Sequence, residues 1–152
     1  MNDHQISIRP FREEDLSEWF RLRMQLWDET SDDEHQSEMM DILEHSDFQF
    51  VAVADAGDGR LAGFLEASIR PFVEDCSSEN VGYLEGWFVD PAYRHRGVGR
   101  RLVALAERWA REKGSTEMAS DAEIGNNASI AIHGRLGYQE TSRLVHLRKD
   151  LV

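Results

Sequence analysis

One stretch constrains this chain more than any other. Val81 to Val89 reads as a strand, and Asp90-Pro91 ends it, because proline removes the main-chain donor that a central ladder needs. Ala92 to Arg101 follows. It carries Gly97, Gly99 and the arginines 94, 96, 100 and 101, with no acid from Arg94 onward. A long helix then opens, with Val98, Leu102, Leu105, Ala106, Trp109 and Ala110 on one face. Gly114 stands where a left-handed cap belongs. Strand, tight turn and helix in that order aim unpaired helix amides outward, which suits an anion. The glycines remove side chains that would keep phosphate oxygens from the backbone. The arginines Arg94, Arg96 and Arg100 add charge-assisted donors. Gly97, Val98 and Gly99 supply the main chain, and a pyrophosphate is the natural guest. The dinucleotide fingerprint is excluded, since its third glycine is missing, and so is a Walker loop, since no Gly-Lys-Ser/Thr follows.

The rest of the chain supplies a sheet for that turn to sit on. Ile6 and Ile8 read as a short first strand, and a helix runs from about Glu13 to Trp27, with Arg23 the polar exception on its apolar stripe. Ser31-Asp32-Asp33-Glu34 is a capping box that starts a second helix, ending near His45. Strands are expected over 48–54, 61–69, 81–89 and 116–120, with a hairpin turn at Ala56-Gly57-Asp58-Gly59. A short helix over 128–136 and a last strand over 138–148 complete the order β-α-α-β-β-β-α-β-α-β. The fold class is α/β, a mixed sheet with helices on both faces. With no internal repeat and no linker, residues 1–152 are expected to form one domain.

Charge narrows the ligands. The chain carries 17 Lys and Arg against 29 Asp and Glu, a net charge of −12. It repels nucleic acid and anionic lipid in aggregate and attracts cations. The acid is concentrated: nine carboxylates and no Lys or Arg lie between Asp28 and Asp47. Like charges at helical spacing weaken the helix that carries them, so that helix is expected to need a cation. An acidic segment and a separate basic patch fit two ligands of opposite charge. The single cysteine, Cys76, excludes an intrachain disulfide. The polar N-terminus reads as no signal peptide, and no apolar run is long enough to span a membrane, so the expected location is the cytoplasm. The six histidines show no metal-site spacing, and no metal is assigned.

Phe88-Val89-Asp90-Pro91-Ala92-Tyr93-Arg94-His95-Arg96-Gly97-Val98-Gly99 resembles the acyl-CoA pyrophosphate signature of the GNAT superfamily of N-acetyltransferases. Asn126, Ser129-Ile130 and Leu136-Gly137-Tyr138 resemble that family's later segment. The resemblance covers nearly the whole chain. Leu22-Arg23-x-x-Leu26-Trp27, Leu84-Glu85-Gly86-Trp87-Phe88-Val89 and Met118-Ala119-Ser120-Asp121 are similar, more narrowly, to the aminoglycoside 6'-N-acetyltransferases.

The resemblance implies a GNAT-like sheet of six to seven strands. It implies transfer of acetyl from acetyl-CoA to the 6'-amine of a cationic aminoglycoside by direct attack on the thioester, with antibiotic resistance as the outcome and a homodimer as the usual assembly. The strand ending at Val89 is expected to part from its neighbour and hold the pantetheine arm, with an amide near Phe88 donating to the thioester carbonyl. Glu85 and Asp121 are the expected catalytic carboxylates, facing one cleft, where they hold ammonium groups or take a proton through water. Trp27 and Glu79 are expected to line the acceptor side, and Asn126 and His133 the coenzyme side. His133 departs from the tyrosine that many family members place beside the leaving thiolate. Two alternatives share the coenzyme machinery: a GNAT enzyme for another amine (a polyamine, a peptide N-terminus or a small metabolite) and a non-catalytic acyl-CoA-binding module.

Overall fold

The computed structural model describes residues 5–152, so the N-terminal tetrapeptide and His4 lie outside the described residues. The chain divides into two compact units, the first ending at Ser120 and the second running from Asp121 to Val152.

The first unit holds β1 (Ser7–Pro10), a 3-10 turn (Glu13–Asp15), α1 (Leu16–Leu26), α2 (Asp32–Glu44), β2 (Gln49–Gly57), β3 (Arg60–Arg70), β4 (Val81–Val89), a second 3-10 turn (Pro91–Tyr93), α3 (Val98–Glu112) and β5 (Met118–Ser120). The strands lie in sequence order, β1-β2-β3-β4-β5. The first four pair antiparallel, and β5 pairs parallel to β4.

Each helix starts and stops for a local reason. The capping box at α2 forms as expected: Glu34 N donates to Ser31 Oγ at 3.2 Å and Ser31 N donates to Glu34 Oε2 at 3.1 Å. Asp32, Asp33 and Glu34 occupy the first turn, where the helix dipole favours anions. The cation that the acidic helix needs comes from its neighbour, since Arg23 Nη2 on α1 donates to Glu38 Oε2 at 2.9 Å. Gly114, at φ +96°, ends α3 in the left-handed region.

Strand alternation gives the sheet two faces. One face carries Val51, Val53, Leu61 and Phe64, packed with Trp19 and Leu22 of α1 and Met39 of α2. The other faces α3: Phe50 stacks on Trp109 with ring centroids 5.0 Å apart. A Cβ on Gly63 would stand 3.4 Å from Leu102 Cδ1 on that side. Helices thus cover both faces of the first unit's sheet.

In the second unit, α4 (Asn127–Arg135) is the one helix among the described residues. The strand expected over 138–148 does not form, and the described residues hold five strands rather than six to seven. The physical reason lies in the unit itself. A strand satisfies its backbone only against another strand, and α4 is the sole regular element beside it in that unit. Val145 and Leu147, two residues apart within that span, stand 82% and 89% exposed.

Candidate active site

The turn after β4 has the form that the sequence predicted. Asp90 accepts from Ala92 N at 3.0 Å and starts the short 3-10 turn with Pro91 at its head. His95 and Gly97 both take left-handed φ values, +66° and +76°. Gly97 is the N-cap of α3, and no side chain caps that helix. A Cβ at Gly97 would meet nothing within 4 Å, so its glycine is required by conformation, and the space before the helix is open. Arg94, Arg96 and Arg100 are exposed around it. Arg94 Nε donates to the Val89 carbonyl at 2.9 Å and its guanidinium lies 5.3 Å from the Phe88 ring. Arg96 lies 5.7 Å from the Tyr93 ring. An uncapped helix start, a left-handed glycine and three exposed arginines within seven residues, Arg94, Arg96 and Arg100, match the donors a diphosphate needs.

β4 is paired with β5 over part of its length, up to the point where β5 itself ends at Ser120. Its parallel ladder to β5 covers Gly82, Tyr83 and Leu84 and stops there. On the β3 side, Asp90 N donates to Ala62 O at 2.8 Å, and the Phe88 carbonyl lies 2.7 Å from where a Cβ on Gly63 would stand. Main-chain groups alternate sides along a strand, so Phe88 faces β3. The amides near Phe88 that face the opposite edge are those of Trp87 and Val89. Their side chains meet α3, where a Cβ on Gly99 would stand 3.5 Å from Trp87 Nε1 and 3.7 Å from Val89 Cγ2.

The ladder between β3 and β4 contains a bulge at the expected catalytic carboxylate. Ala67 pairs with Leu84 and Glu66 with Gly86, which leaves Glu85 as the extra residue. The extra residue reverses the alternation. Upstream, Tyr83 meets Arg70, whose Cζ is 3.5 Å from the ring centroid. Downstream, Gly86 faces α1, and a Cβ there would lie 2.5 Å from Trp27 Cζ2. The bulge therefore puts Glu85, which bonds Ser68, on the same face of β4 as Gly86, the residue packed against Trp27.

Glu85 is not an isolated carboxylate. Oε1 accepts from Ser68 Oγ at 2.6 Å and from Arg70 Nε at 3.0 Å, and Oε2 accepts from Arg70 Nη2 at 2.7 Å. Arg70 and Ser68 were not singled out from sequence. Their spacing on β3 points at β4 only once the pairing register is known.

Trp27, the C-cap of α1, sits in a polar frame that sequence reasoning also missed. Arg23, 2% exposed, donates through Nε to Glu66 Oε2 at 2.8 Å. Trp19 Nε1 donates to the same oxygen at 2.9 Å. Arg23 Nη1 lies 3.1 Å from His35 Nδ1, so that nitrogen accepts and Nε2–H donates to the Trp27 carbonyl at 3.0 Å. The Arg23 guanidinium stands 4.8 Å from the Trp27 ring. The exception on the apolar stripe of α1 is thus a fully engaged buried cation. Burial pushes the Glu66 carboxyl above its ordinary range against the pull of Arg23.

The remaining candidates lie on other segments of the chain. Glu79 is exposed in the loop before β4. Glu117 anchors that loop by accepting from Ser77 N at 2.9 Å and Ser78 N at 2.7 Å, and the Ser78 donors hold its carboxyl below the usual range. Burial and the Glu117 charge push the Cys76 thiol up, away from the thiolate a nucleophile needs. Asp121 opens the second unit and is exposed. Asn126 is the N-cap of α4 and accepts from Ser129 N at 3.1 Å. His133 Nδ1 lies 2.7 Å from the Ser129 carbonyl, and its ring meets Tyr138 edge-on at 5.9 Å.

Comparison with known proteins places this arrangement. The Acetyltransferase (GNAT) family matches residues 10–138. An aminoglycoside N(6')-acetyltransferase type 1 of Klebsiella aerogenes is 43% identical over 146 residues, 95% of this chain and 96% of that protein. One of Serratia marcescens is 37% identical over 139 residues, 91% of this chain and 94% of its own. The solved structure of AAC(6')-Iy in complex with the bisubstrate analog CoA-S-monomethyl-acetylneamine has a TM-score of 0.90 and 40% identity, covering 97% of this chain and 99% of that one. The chain belongs to the acetyltransferase (GNAT) family, among the aminoglycoside 6'-N-acetyltransferases.

Proposed function

We propose that the chain transfers acetyl from acetyl-CoA to the 6'-amino group of an aminoglycoside and so confers antibiotic resistance. The observation that carries this reading is the construction of β4. Its C-terminal end runs into an uncapped, arginine-flanked helix start, and its middle bulges at Glu85, one residue before the Gly86 that packs on Trp27. One strand thus links a diphosphate site to an acidic and aromatic surface suited to an amino sugar. Coverage of nearly full-length relatives, one of them held with a bisubstrate analog, supports the same pairing of ligands.

Acetyl-CoA supplies the activated acyl group, and no covalent enzyme intermediate is required. Gly97, Val98 and Gly99 with Arg94, Arg96 and Arg100 hold the diphosphate. The edge amides of Trp87 and Val89, flanking Phe88, direct the arm and stabilise charge developing on the thioester oxygen. Glu85 and Asp121 hold ammonium groups and accept the proton of the attacking amine through water. Trp27 offers a ring face to the sugar, and Glu79 adds charge at the acceptor side. The family resemblance supports roles for Asn126 and His133 toward the coenzyme arm, and the thiolate takes its proton from water. Positioning is the largest contribution, worth roughly 7–11 kcal/mol in favourable cases, against about 3–5 kcal/mol for one general base.

Residues 1–152 are assigned to this one acyltransferase function, acting in the cytoplasm. Among the described residues no helix is long and apolar enough to cross a membrane. We infer a homodimer from the family resemblance, and exposed Val145 and Leu147 are apolar residues that a second copy would cover. Sedimentation as a monomer at micromolar concentration would overturn that assignment.

Thiol release with acetyl-CoA, measured over aminoglycosides with and without a 6'-amine, tests the function. Turnover is expected only where that amine is present, and undiminished turnover without it refutes the regiochemistry. E85Q and D121N are expected to lose acceptor turnover by about 10²-fold or more while keeping affinity for CoA. Wild-type kinetics in both variants would remove the two carboxylates from the mechanism.

A further inference from the structure

The Arg70–Glu85 pair occupies the position where an acceptor ammonium has to bind. The guanidinium fork takes one oxygen of Glu85 at 3.0 Å and the other at 2.7 Å, and Ser68 takes a further position on the first at 2.6 Å. An incoming ammonium therefore meets a carboxylate that Arg70 already holds through both oxygens, not an empty one. We propose that Arg70 is a tethered competitor cation: it fills the ammonium subsite on Glu85 in the free enzyme, withdraws over Tyr83 when a polycation binds, and so discriminates against amines of single charge. The proposal rests on Glu85 being an acceptor ligand.

Three observations carry it. The side chains of Arg70 and Glu85 are 42% and 31% exposed, so water accompanies the exchange and the pair is weak enough to open. Arg70 has a second partner ready, since its Cζ already lies 3.5 Å from the Tyr83 ring centroid. Withdrawal therefore leaves the guanidinium with a cation–π contact and no stranded charge. Finally, the tether sets the terms of competition. A cation attached by a short flexible stem competes at an effective concentration in the millimolar range. A single ammonium binding Glu85 weakly loses to it. A polycation that engages other carboxylates with its remaining ammonium groups does not, because its own second contact is intramolecular.

An opposite arrangement would use Arg70 to clamp Glu85 in its working rotamer. The two differ in sign: removing a competitor tightens acceptor binding, and removing a clamp loosens it. The test measures KM and kcat for kanamycin, the inhibition constant of the single-charge sugar 6-amino-6-deoxyglucose against it, and KM for acetyl-CoA. The proteins are the full-length wild type, R70Q, R70K, E85Q and the R70Q/E85Q double variant, each checked by thermal melting.

In R70Q the inhibition constant of the single-charge sugar is expected to fall about threefold or more, within what an exposed pair contributes. KM for kanamycin falls by less, and acetyl-CoA KM does not move. R70K keeps the charge and loses the fork, so its values fall between, and it carries the test should R70Q melt early. In the double variant the gain disappears, because the subsite itself is gone. Weaker or unchanged binding of the single-charge sugar in R70Q and R70K, with E85Q still raising acceptor KM, overturns the competition alone. Wild-type acceptor KM in E85Q overturns the placement of the acceptor on Glu85 and the competition with it.

Discussion

Gly86→Ala tests whether Trp27 is held against β4 as tightly as the contacts imply. A Cβ at residue 86 would lie 2.5 Å from Trp27 Cζ2 and 3.0 Å from Cη2. Carbon atoms pack no closer than about 3.5 Å at favourable separation, so the indole must retreat by roughly 1 Å. Its escape is restricted. Phe64 stands edge-on with ring centroids 6.1 Å apart, and the buried Arg23 guanidinium stands 4.8 Å from the ring. Overpacking of this kind costs about 1–3 kcal/mol. For a chain of this length each kcal/mol lowers Tm by about 2–4 °C, giving a fall of about 2–12 °C. The functional effect is selective if Trp27 has its proposed place on the acceptor side, since α3 is untouched. Acceptor KM is expected to rise about tenfold, within the roughly 10²-fold that a 1 Å misplacement can cost, while acetyl-CoA KM stays at the wild-type value. Thermal melting and steady-state kinetics on the same preparation read both. A G86A enzyme with Tm within about 1 °C of wild type and unmoved acceptor KM would show that the Trp27 contact constrains nothing.

Gly97→Val forces a β-branched residue into φ +76° at the start of α3. Left-handed backbone costs roughly 1–2 kcal/mol for such a residue, so acetyl-CoA binding should weaken about tenfold in calorimetry, and native affinity would refute the diphosphate assignment. Acid stability should depend on Glu18, whose carboxyl is held below its ordinary value of 4.5 by the Arg21 hydrogen bonds, against burial and with the Leu61 amide. A lowered carboxyl stabilises the fold above 4.5, and that stability is lost as pH falls through its depressed value. Melts between about pH 6 and pH 3 should therefore fall less steeply in E18Q than in the wild type, and parallel curves would remove Glu18 from the acid response.

What was legible in the sequence was whatever is encoded locally. The strand from Val81 to Val89, the capping box at Ser31 and the glycine cap at Gly114 each depend on residues within a few positions of one another. The bulge at Glu85 does not, since an extra residue exists only relative to the register of β3. The family resemblance points to Glu85 as a catalytic carboxylate, and the sequence offers no means of finding Arg70 opposite it. Arg23 was equally opaque: its acceptor Glu66 is 43 residues away, so the stripe on α1 showed an exception without its cause. The segment over 138–148 failed in the other direction. Its alternation is real, but alternation describes side chains, and a strand also requires a neighbour to satisfy its backbone.

These non-local pairs change what the net charge of −12 means for substrate binding. Taken in aggregate, it draws a polycation toward the protein and raises the encounter rate. At the site the balance differs, because Glu85 is engaged by Arg70, Glu66 by Arg23 and Glu38 by Arg23 again. Under the proposed competition, binding at Glu85 is an exchange of one cation for another, and the difference between the two pairs, rather than the charge of the carboxylate, sets the gain. Exchange also separates two responses to salt. The long-range attraction weakens steeply with ionic strength, whereas the local exchange loses comparable screening on both sides and changes little. An acceptor association rate that drops with added salt, beside a dissociation rate that barely moves, is the kinetic pattern this division requires, and a salt effect carried by dissociation would contradict it.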